Sequence, residues 1–367
     1  MCRRLDTYVH PYIFPSSSQV PFLVAARQHI LTHLEERQGA NLMKGLILCA
    51  GKGTRLHPFS NDYSKTLLQV ANKPIIHYCI DSLKQVNIKD IGMVIRSTQL
   101  SLFQEHVGDG SQWGVNIEYV FQDTPLGIAD AVKQAESYIG ADSFILLLGD
   151  NLIEQSLKGL RDAILLERYD GALLLGKVEK PQDYGIAEIN EQCIIGLEEK
   201  PAHPKSNLAV LGAYAFTPNI FDAIHAIKPS RRGEYEITDA IQWLIDNEFS
   251  LTYEETILMH TDVGTVPRWL AANRWMLQKL AQSQVKLEVH SQASNCTFIQ
   301  PVMVHPSSQI TNCVIGPYVT IGRDAILDNC TVENSVVMEK VRLSHKQLID
   351  AVAGQFITVT RAQEDEG

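Results

Sequence analysis

The chain has 367 residues, of which 45% are hydrophobic and 20% are charged, and its formal net charge at pH 7 is -10. The acidic balance argues against a general nucleic-acid binder, and the length leaves room for two domains because single cores stop growing beyond about 250 to 300 residues. No apolar run approaches the roughly 18 residues that a bilayer-spanning helix needs, so we expect no membrane insertion.

The cysteines and the first residues indicate the compartment of the protein. The seven cysteines show no C-x-x-C or zinc-type spacing, which favours reduced thiols in a cytoplasmic protein and a metal site, if present, built from oxygen ligands. Pro11, Pro15 and the serine run 16–18 interrupt the leading apolar stretch, which argues against a signal peptide. We expect residues 1–42 to be an extension without chemistry, either disordered or the product of an upstream start.

A predicted strand runs into a glycine loop directly after Met43. Gly51 and Gly53 would let backbone N–H groups approach a phosphate chain, and the cationic side chains of Arg55 and Lys65 could then bind its charge. The spacing matches neither Walker A nor G-x-G-x-x-G, because a leucine occupies the place of the third glycine. The motif therefore indicates a phosphate loop of another type.

Helix and strand patterns alternate after this loop. They predict a helix with its apolar face at Ile76, Ile80 and Leu83, strands at 90–95, 115–121 and 144–148, a helix over 128–139, strands at 172–178, 186–189 and 209–216, and helices at 237–247 and 267–280. This alternation predicts an α/β domain over residues 43–285, a Rossmann-like, mostly parallel mixed sheet with helices on both faces. In such sheets ligands bind at the carboxyl ends of the strands.

The pattern changes after about residue 286 to a near-hexad repeat. Apolar residues recur at Val304, Ile310, Ile315, Ile321 and Leu327, and small or β-branched residues follow four positions later at Ser308, Val314, Val319, Ala325 and Thr331. Repeats of this length stack as turns of a parallel β-helix. We expect a short β-helix over residues 286–345 and a tail over 346–367, with a sandwich edge or irregular segment as the alternative.

Several motifs follow one another in the order found in the sugar-phosphate nucleotidyltransferases. They are the G-x-G-T-R-L loop at 51–56, Ser64-Lys65, Lys73-Pro74, Q-D-T-P-L-G at 122–127, L-G-D-N at 148–151, Tyr184-Gly185, E-E-K-P at 198–201, R-G-E at 232–234, E-I-T-D at 236–239 and D-V-G-T at 262–265. The chain resembles this family from Met43 to about Leu280, and within it the glucose-1-phosphate thymidylyltransferases. A similar likeness to hexapeptide-repeat proteins implies that the β-helix is left-handed.

The resemblance implies an enzyme that joins dTTP and α-D-glucose 1-phosphate to give dTDP-glucose and pyrophosphate, by Mg²⁺-assisted in-line attack. Use of UTP stays open, because the single methyl group that distinguishes the bases is worth about 1 to 3 kcal/mol. A non-catalytic regulatory or scaffolding relative is a further alternative, against which the retained charged residues argue. The partners implied are small-molecule substrates and, through the β-helix, other copies of this chain in a homo-oligomer.

The same resemblance assigns roles to individual residues. Catalytic contacts to the triphosphate come from Arg55 and Lys65, nucleotide binding from Gly51, Gly53, Thr54, Gln122 and Gly127, and sugar-phosphate binding from Tyr184, Gly185, Glu199, Lys200 and Arg232. Gln122 would form two hydrogen bonds with a pyrimidine edge, while Lys200 and Arg232 would bind the phosphate of the sugar. From sequence alone, these stretches could equally be ordinary loops and solvated charge clusters.

Two aspartates are candidates for a metal site. Asp150 and Asp262 follow predicted strands, and their carboxylates could share a hard cation with phosphate oxygens. The residues alone leave open that Asp150 caps a helix and that Asp262 forms a turn with Gly264. The resemblance places both at metal positions and implies Mg²⁺, although Val263 departs from the threonine usual there.

Overall fold

The computed structural model describes residues 43–59, 64–283, 292–355 and 358–360. The expected extension at 1–42, the expected domain boundary at 285 and the end of the expected tail lie outside the described residues. Among the helices of the described ranges, none combines the length and the apolar character that crossing a bilayer requires.

Within the described ranges, thirteen strands precede the last long helix. In chain order they are β1 (Met43–Leu48), β2 (Gln69–Val70), β3 (Lys73–Pro74), β4 (Asp90–Ile95), β5 (Asn116–Phe121), β6 (Ser143–Leu148), β7 (Asn151–Ile153), β8 (Gly171–Lys177), β9 (Gly185–Asn190), β10 (Cys193–Glu199), β11 (Leu208–Phe216), β12 (Leu251–Thr256) and β13 (His260–Asp262). Nine of them form one sheet in the order β5-β4-β1-β6-β11-β8-β12-β10-β9. β5, β4, β1 and β6 are parallel, as the alternation predicts, whereas β11 is antiparallel to both β6 and β8.

Helices pack on both faces of this sheet, so the predicted α/β class is confirmed. They are α1 (Ile75–Gln85), α2 (Leu100–His106), α3 (Ile128–Gln134), α4 (Glu136–Ile139), α5 (Lys158–Leu165), α6 (Ile220–Ala226), α7 (Ile237–Asp246) and α8 (Val266–Gln282). Successive strand residues point to opposite faces. Accordingly Ile47 packs in the cluster that contains α1, whereas Leu46 packs in the cluster that contains α7.

The C-terminal part is a three-sided series of stacked parallel strands. They are β14 (Gln292–Ser294), β15 (Thr297–Phe298), β16 (Val302–Val304), β17 (Gln309–Thr311), β18 (Val314–Ile315), β19 (Val319–Ile321), β20 (Ile326–Asp328), β21 (Thr331–Glu333), β22 (Val336–Val337), β23 (Arg342–Ser344), β24 (Gln347–Ile349), β25 (Ala351–Ala353) and the antiparallel β26 (Thr358–Thr360). The sides are β14-β17-β20-β23, β15-β18-β21-β24 and β16-β19-β22-β25. This arrangement is a β-helix, as the repeat predicts; its hand stays a prediction.

Two details of this β-helix differ from the expected repeat. Val314 and Thr331 are exposed, and the small inward positions are filled by Cys313 and Cys330 instead. The reason is that one side of each turn has five residues rather than six, so its inward position comes one residue earlier in the sequence. The strands also continue past residue 345, where we expected them to end, since Leu348 is buried as the inward residue of a further turn.

Helix α8 joins the two parts. Trp269 packs with Val336 and with other residues of the β-helix in one apolar cluster. The side-chain oxygen of the buried Asn273 accepts hydrogen bonds from the Ala71 N–H at 2.9 Å and the Thr320 hydroxyl at 2.7 Å. The β-helix therefore packs against the segment that follows the glycine loop.

Candidate active site

The loop after β1 turns at Gly53 into a short 3-10 helix, Thr54–Leu56. Gly53 has a φ of 63°, a left-handed conformation that glycine adopts without the steric penalty of a side chain. Leu56 is fully buried in the apolar cluster with Trp269. With Leu56 held inside, the neighbouring Arg55 is exposed, and its side chain lines two cavities.

These two cavities adjoin each other at the carboxyl ends of β1 and β6. The smaller, of about 430 Å³, includes Gly51, Gly53, Thr54, Lys65, Gln122 and Gly127 in its lining. The larger, of about 630 Å³, includes Tyr184, Gly185, Glu199, Lys200 and Asp262. Arg55 and Asp150 line both. We call the smaller cavity the loop cavity and the larger one the carboxylate cavity.

Lys65 and Asp150 form an ion pair where the two cavities meet. Asp150 lies two residues after the end of β6, and its side chain is largely buried, as is that of Lys65. The Lys65 side chain passes close to Gly51, where a Cβ atom would be in van der Waals contact with its Cε atom at 3.4 Å. Asp150 is thus paired with a cationic side chain before any ligand binds.

Asp262 lies on the same wall as Asp150. The β7–β13 pairing sets Asp262 opposite Asn151, and the Val263 N–H donates to the Asp150 backbone carbonyl at 2.9 Å. The Asp262 carboxylate pairs with the guanidinium of Arg268. Each of the two predicted metal ligands therefore carries its own cationic partner.

Within the described residues, no third His, Cys, Asp or Glu side chain joins the two aspartates to form a metal site. In the described part of the chain, no group of three or more His, Cys, Asp or Glu side chains could hold a metal ion. A cation bound by Asp150 and Asp262 would complete its coordination with oxygens of a substrate or of water, which is how Mg²⁺ is commonly held beside phosphates.

Gln122 and Gly127 both line the loop cavity. Gly127 has a φ of 111°, and a Cβ atom there would lie 2.5 Å from the Tyr235 carbonyl oxygen, so only glycine fits. The Gln122 side chain is 5% exposed, and its Nε2 atom donates to Asp130 Oδ2 at 2.7 Å and to the Gly127 carbonyl at 3.2 Å. Because both bonds use the amide nitrogen, Gln122 offers a ligand one atom rather than the expected two.

The carboxylate cavity is built where β9 meets β10. Glu199 pairs in register with Gly185, and the Lys200 N–H donates to the Tyr184 carbonyl at 2.9 Å. A Cβ atom at Gly185 would lie 2.6 Å from the Thr238 Cγ2 atom, which explains the glycine at this position. Four of the five residues expected to bind the sugar phosphate, Tyr184, Gly185, Glu199 and Lys200, therefore come together on one wall.

Glu199 is a perturbed carboxylate. Burial raises its pKa, and the nearby Glu236 carboxylate raises it further, while Lys200, Arg232 and the Thr238 hydroxyl act in the opposite direction. The charged form of Glu199 is therefore disfavoured in the protein without ligand.

Arg232 does not line either cavity. Its Nη2 atom lies 2.8 Å from Glu236 Oε1 and 3.2 Å from Glu199 Oε1, and Glu234 is 3.9 Å away. The Glu236 side chain is 5% exposed, and a buried carboxylate requires a cationic partner. The structure therefore places Arg232 among three carboxylates, beside Glu199 of the carboxylate cavity, and its binding of the sugar's phosphate stays a prediction.

Arg268 and Asp130 are site residues that sequence reasoning missed. Arg268 lines the carboxylate cavity and lies 3.4 Å from the Tyr184 hydroxyl through its Nη2 atom. The sequence could have indicated Arg268 through its position, since it is a basic residue three positions after Thr265, the N-cap of α8, on the turn that follows Asp262. Asp130, in the first turn of α3, has the ordinary signature of an acidic residue near a helix start.

Comparisons with known proteins agree with this geometry. The family model described as nucleotidyl transferase matches residues 44–279. The glucose-1-phosphate thymidylyltransferase of Streptomyces griseus is 36% identical over 341 residues, which cover 88% of this chain and 95% of that protein.

Two solved structures are similar in fold. One, from Bacillus anthracis and described as a glucose-1-phosphate thymidylyltransferase in complex with sucrose, has a TM-score of 0.59 at 36% identity and covers 63% of this chain and 94% of that chain. The other, a UDP-glucose pyrophosphorylase complexed with UDP-glucose, has a TM-score of 0.59 at 25% identity and covers 65% of this chain and 100% of that chain. With a family model matching more than half of its length, the chain belongs to the nucleotidyl transferase family.

Proposed function

We propose that this protein is a glucose-1-phosphate thymidylyltransferase, which joins dTTP and α-D-glucose 1-phosphate to give dTDP-glucose and pyrophosphate. The observation that carries the proposal is the pair of adjoining cavities that share Arg55 and Asp150. Two mutually repelling polyanions need separate pockets whose walls meet where the new bond forms. The similarity to the Streptomyces griseus enzyme supports this choice of substrates.

In the proposed reaction, an oxygen of the sugar's phosphate attacks the α-phosphorus of the nucleotide, in line with the leaving pyrophosphate. The new P–O bond forms as the bond to the bridging oxygen breaks, and that oxygen takes the electron pair. The glycine loop and Arg55 bind the triphosphate, Lys65 adds charge, and Lys200 binds the sugar's phosphate. Tyr184 and Glu199 orient the sugar, so the rate derives from alignment and charge stabilisation.

We propose that Asp150 and Asp262 hold the Mg²⁺ ion of this reaction. Their carboxylates are hard oxygen donors on one wall, and the hydrogen bond from Val263 to the Asp150 carbonyl keeps their backbones adjacent. When bound, the ion supplies charge neutralisation and Lewis acidity at phosphate oxygens. Lys65 and Arg268, which pair with these carboxylates, would compete with the ion for them.

The test is turnover by the purified full chain with dTTP, UTP, ATP and CTP, each paired with α-D-glucose 1-phosphate and Mg²⁺. Pyrophosphate release gives the rate, and anion-exchange chromatography identifies the nucleotide sugar. We expect dTTP to give the highest kcat/KM. An Asp150→Asn variant is the control for contaminating activity. If no pairing is turned over, the chain is a non-catalytic relative and the proposal is wrong.

UTP is the second candidate nucleotide. The similarity to a UDP-glucose pyrophosphorylase structure favours it, and uracil presents the same ring N–H and carbonyl groups as thymine. A higher kcat/KM with UTP than with dTTP in the same experiment would decide for this alternative.

We also propose that the enzyme is a cytoplasmic homo-oligomer that uses its β-helix as a contact. One side of the β-helix exposes Ile299, Val314 and Ile349 at 46%, 40% and 45%. Exposed apolar groups on one face are typical of interaction surfaces. Charged substitutions there, Val314→Glu with Ile349→Lys, should reduce the particle mass in light scattering; an unchanged mass would contradict this contact.

A further inference from the structure

The amide of Gln122 has a fixed orientation. Its nitrogen lies 2.7 Å from Asp130 Oδ2 and 3.2 Å from the Gly127 carbonyl oxygen. A carboxylate and a carbonyl can only accept hydrogen bonds, so both require the NH₂ side of the amide. Turning the amide over would bring two oxygens together at hydrogen-bond distance, which electrostatic repulsion opposes.

The oxygen of the amide is therefore the atom that Gln122 offers to a ligand. Gln122 lines the loop cavity, and among the described residues none donates a hydrogen bond to its Oε1 atom. The two amide hydrogens are already used by Asp130 and Gly127. Toward the cavity, Gln122 is an acceptor and not a donor.

Asp130 is itself held in place. It lies in the first turn of α3, and its other carboxylate oxygen accepts a hydrogen bond from Gln134 Nε2 at 3.3 Å. The start of α3 is tied to the Tyr235 segment, because the Ala129 N–H donates to the Tyr235 carbonyl at 3.0 Å. A carboxylate on a supported turn can hold a neighbouring amide in one orientation.

We infer that Asp130 is a positioning residue that makes Gln122 a pure hydrogen-bond acceptor, and that this selects nucleobases with a ring N–H on the edge they present. Thymine and uracil have this N–H, whereas the corresponding ring nitrogen of cytosine is an acceptor and would face Oε1 with a lone pair. The inference rests on the proposed function and deepens it, since it names the feature of the nucleotide that the loop cavity recognises.

The test compares Asp130→Asn with the unchanged protein. Asparagine keeps the shape of the side chain but can donate as well as accept, so only the longer contact with the Gly127 carbonyl still opposes the turned-over amide of Gln122. Equilibrium dialysis gives Kd for dTTP, UTP and dCTP, and this measurement does not need turnover. We expect the preference for dTTP over dCTP to fall roughly 10-fold, the effect of about one misplaced hydrogen bond. The dTTP to UTP ratio should stay unchanged, because both bases carry the same N–H.

Two further variants separate orientation from general damage. Gln134→Ala removes one support of the Asp130 carboxylate but keeps its charge, so it should lower the dTTP preference less than Asp130→Asn does. Asp130→Glu, which keeps a carboxylate, should retain much of the preference. An equal loss of affinity for all three nucleotides in Asp130→Asn would overturn the inference, as would equal binding of dTTP and dCTP by the unchanged protein. If the unchanged protein shows no turnover but still binds dTTP in preference to dCTP, only the proposed function is overturned.

Discussion

The two cavities that share Arg55 and Asp150 are built by different means. The loop cavity depends on backbone conformation: Gly53 and Gly127 adopt positive φ angles, and no side chain fits at Gly127. The carboxylate cavity depends on side-chain charges that already pair with one another, such as Asp262 with Arg268. Apart from the Lys65–Asp150 pair where the two cavities meet, the loop cavity is shaped by backbone conformation, whereas the carboxylate cavity is shaped by ion pairs.

This difference predicts how each side responds to mutation. Changes at the loop cavity should act through sterics and affect both stability and nucleotide binding. Changes at the carboxylate cavity should act through charge and depend on metal concentration and pH. Changes at the shared wall should affect every substrate equally.

The largest effect is expected at the shared wall. Arg55→Ala should lower kcat roughly 10²- to 10³-fold, because it removes a donor aimed at charge that develops in the transition state. The factor should be the same for each nucleotide and sugar phosphate, because Arg55 lines both cavities. Steady-state kinetics measure it, with Lys158→Ala, an exposed cationic residue outside both cavity linings, as the control. A loss confined to one substrate would break the comparison.

Gly127→Ala should have the next largest effect. The added Cβ would lie 2.5 Å from the Tyr235 carbonyl oxygen, and overpacking of this kind typically costs about 1 to 3 kcal/mol. Urea unfolding should show this loss, and KM should rise for the nucleotide but not for the sugar phosphate. Gly114→Ala is the control, since Gly114 has a φ of 71° with no atom within 4 Å of the added Cβ. Equal losses in the two variants would show that sterics do not distinguish the loop cavity.

Arg268→Gln should alter the metal requirement. The Arg268–Asp262 pair competes with a cation for the carboxylate, and a partly exposed ion pair is worth up to about 1 kcal/mol. Its removal should lower the Mg²⁺ concentration for half-maximal activity by about fivefold at most. Nucleotide affinity measured without Mg²⁺ should stay constant. A higher Mg²⁺ requirement would mean that Arg268 supports the metal site rather than competing for it.

The smallest expected effect is a pH-dependent gain in stability from Glu199→Gln. Because the folded-state pKa of Glu199 is raised, chiefly by burial, the ionised carboxylate lowers the stability of the fold, and this penalty is complete above the folded-state pKa. The glutamine variant should therefore have the higher Tm at neutral pH, and its advantage should disappear as the pH falls below the ordinary pKa of glutamate. Thermal scans across this range measure it. A Tm difference between the two proteins that does not change with pH would contradict the raised pKa of Glu199.

The same contrast explains what could be predicted from the sequence. The glycine loop, the position of Gly127 and the strand ends that carry Asp150 and Asp262 follow from local backbone requirements, which short motifs record. The surroundings of Arg232 do not follow from short motifs, because Glu199 and Glu236 contact it from different secondary-structure elements. Arg268 was missed for a similar reason, since its contact with Tyr184 joins residues 84 positions apart. Side-chain ion pairs depend on tertiary packing, and spacing alone does not specify them.

The Asn273 side chain has a consequence for how the protein is made. Its bond to the Ala71 N–H joins residues 202 positions apart, and its bond to Thr320 needs a segment synthesised later still. On the ribosome, the first part of the chain emerges and folds before the partner that covers Trp269 exists. During translation this apolar surface is therefore uncovered until the stacked turns follow, which makes the nascent chain a candidate for chaperone binding at that stage.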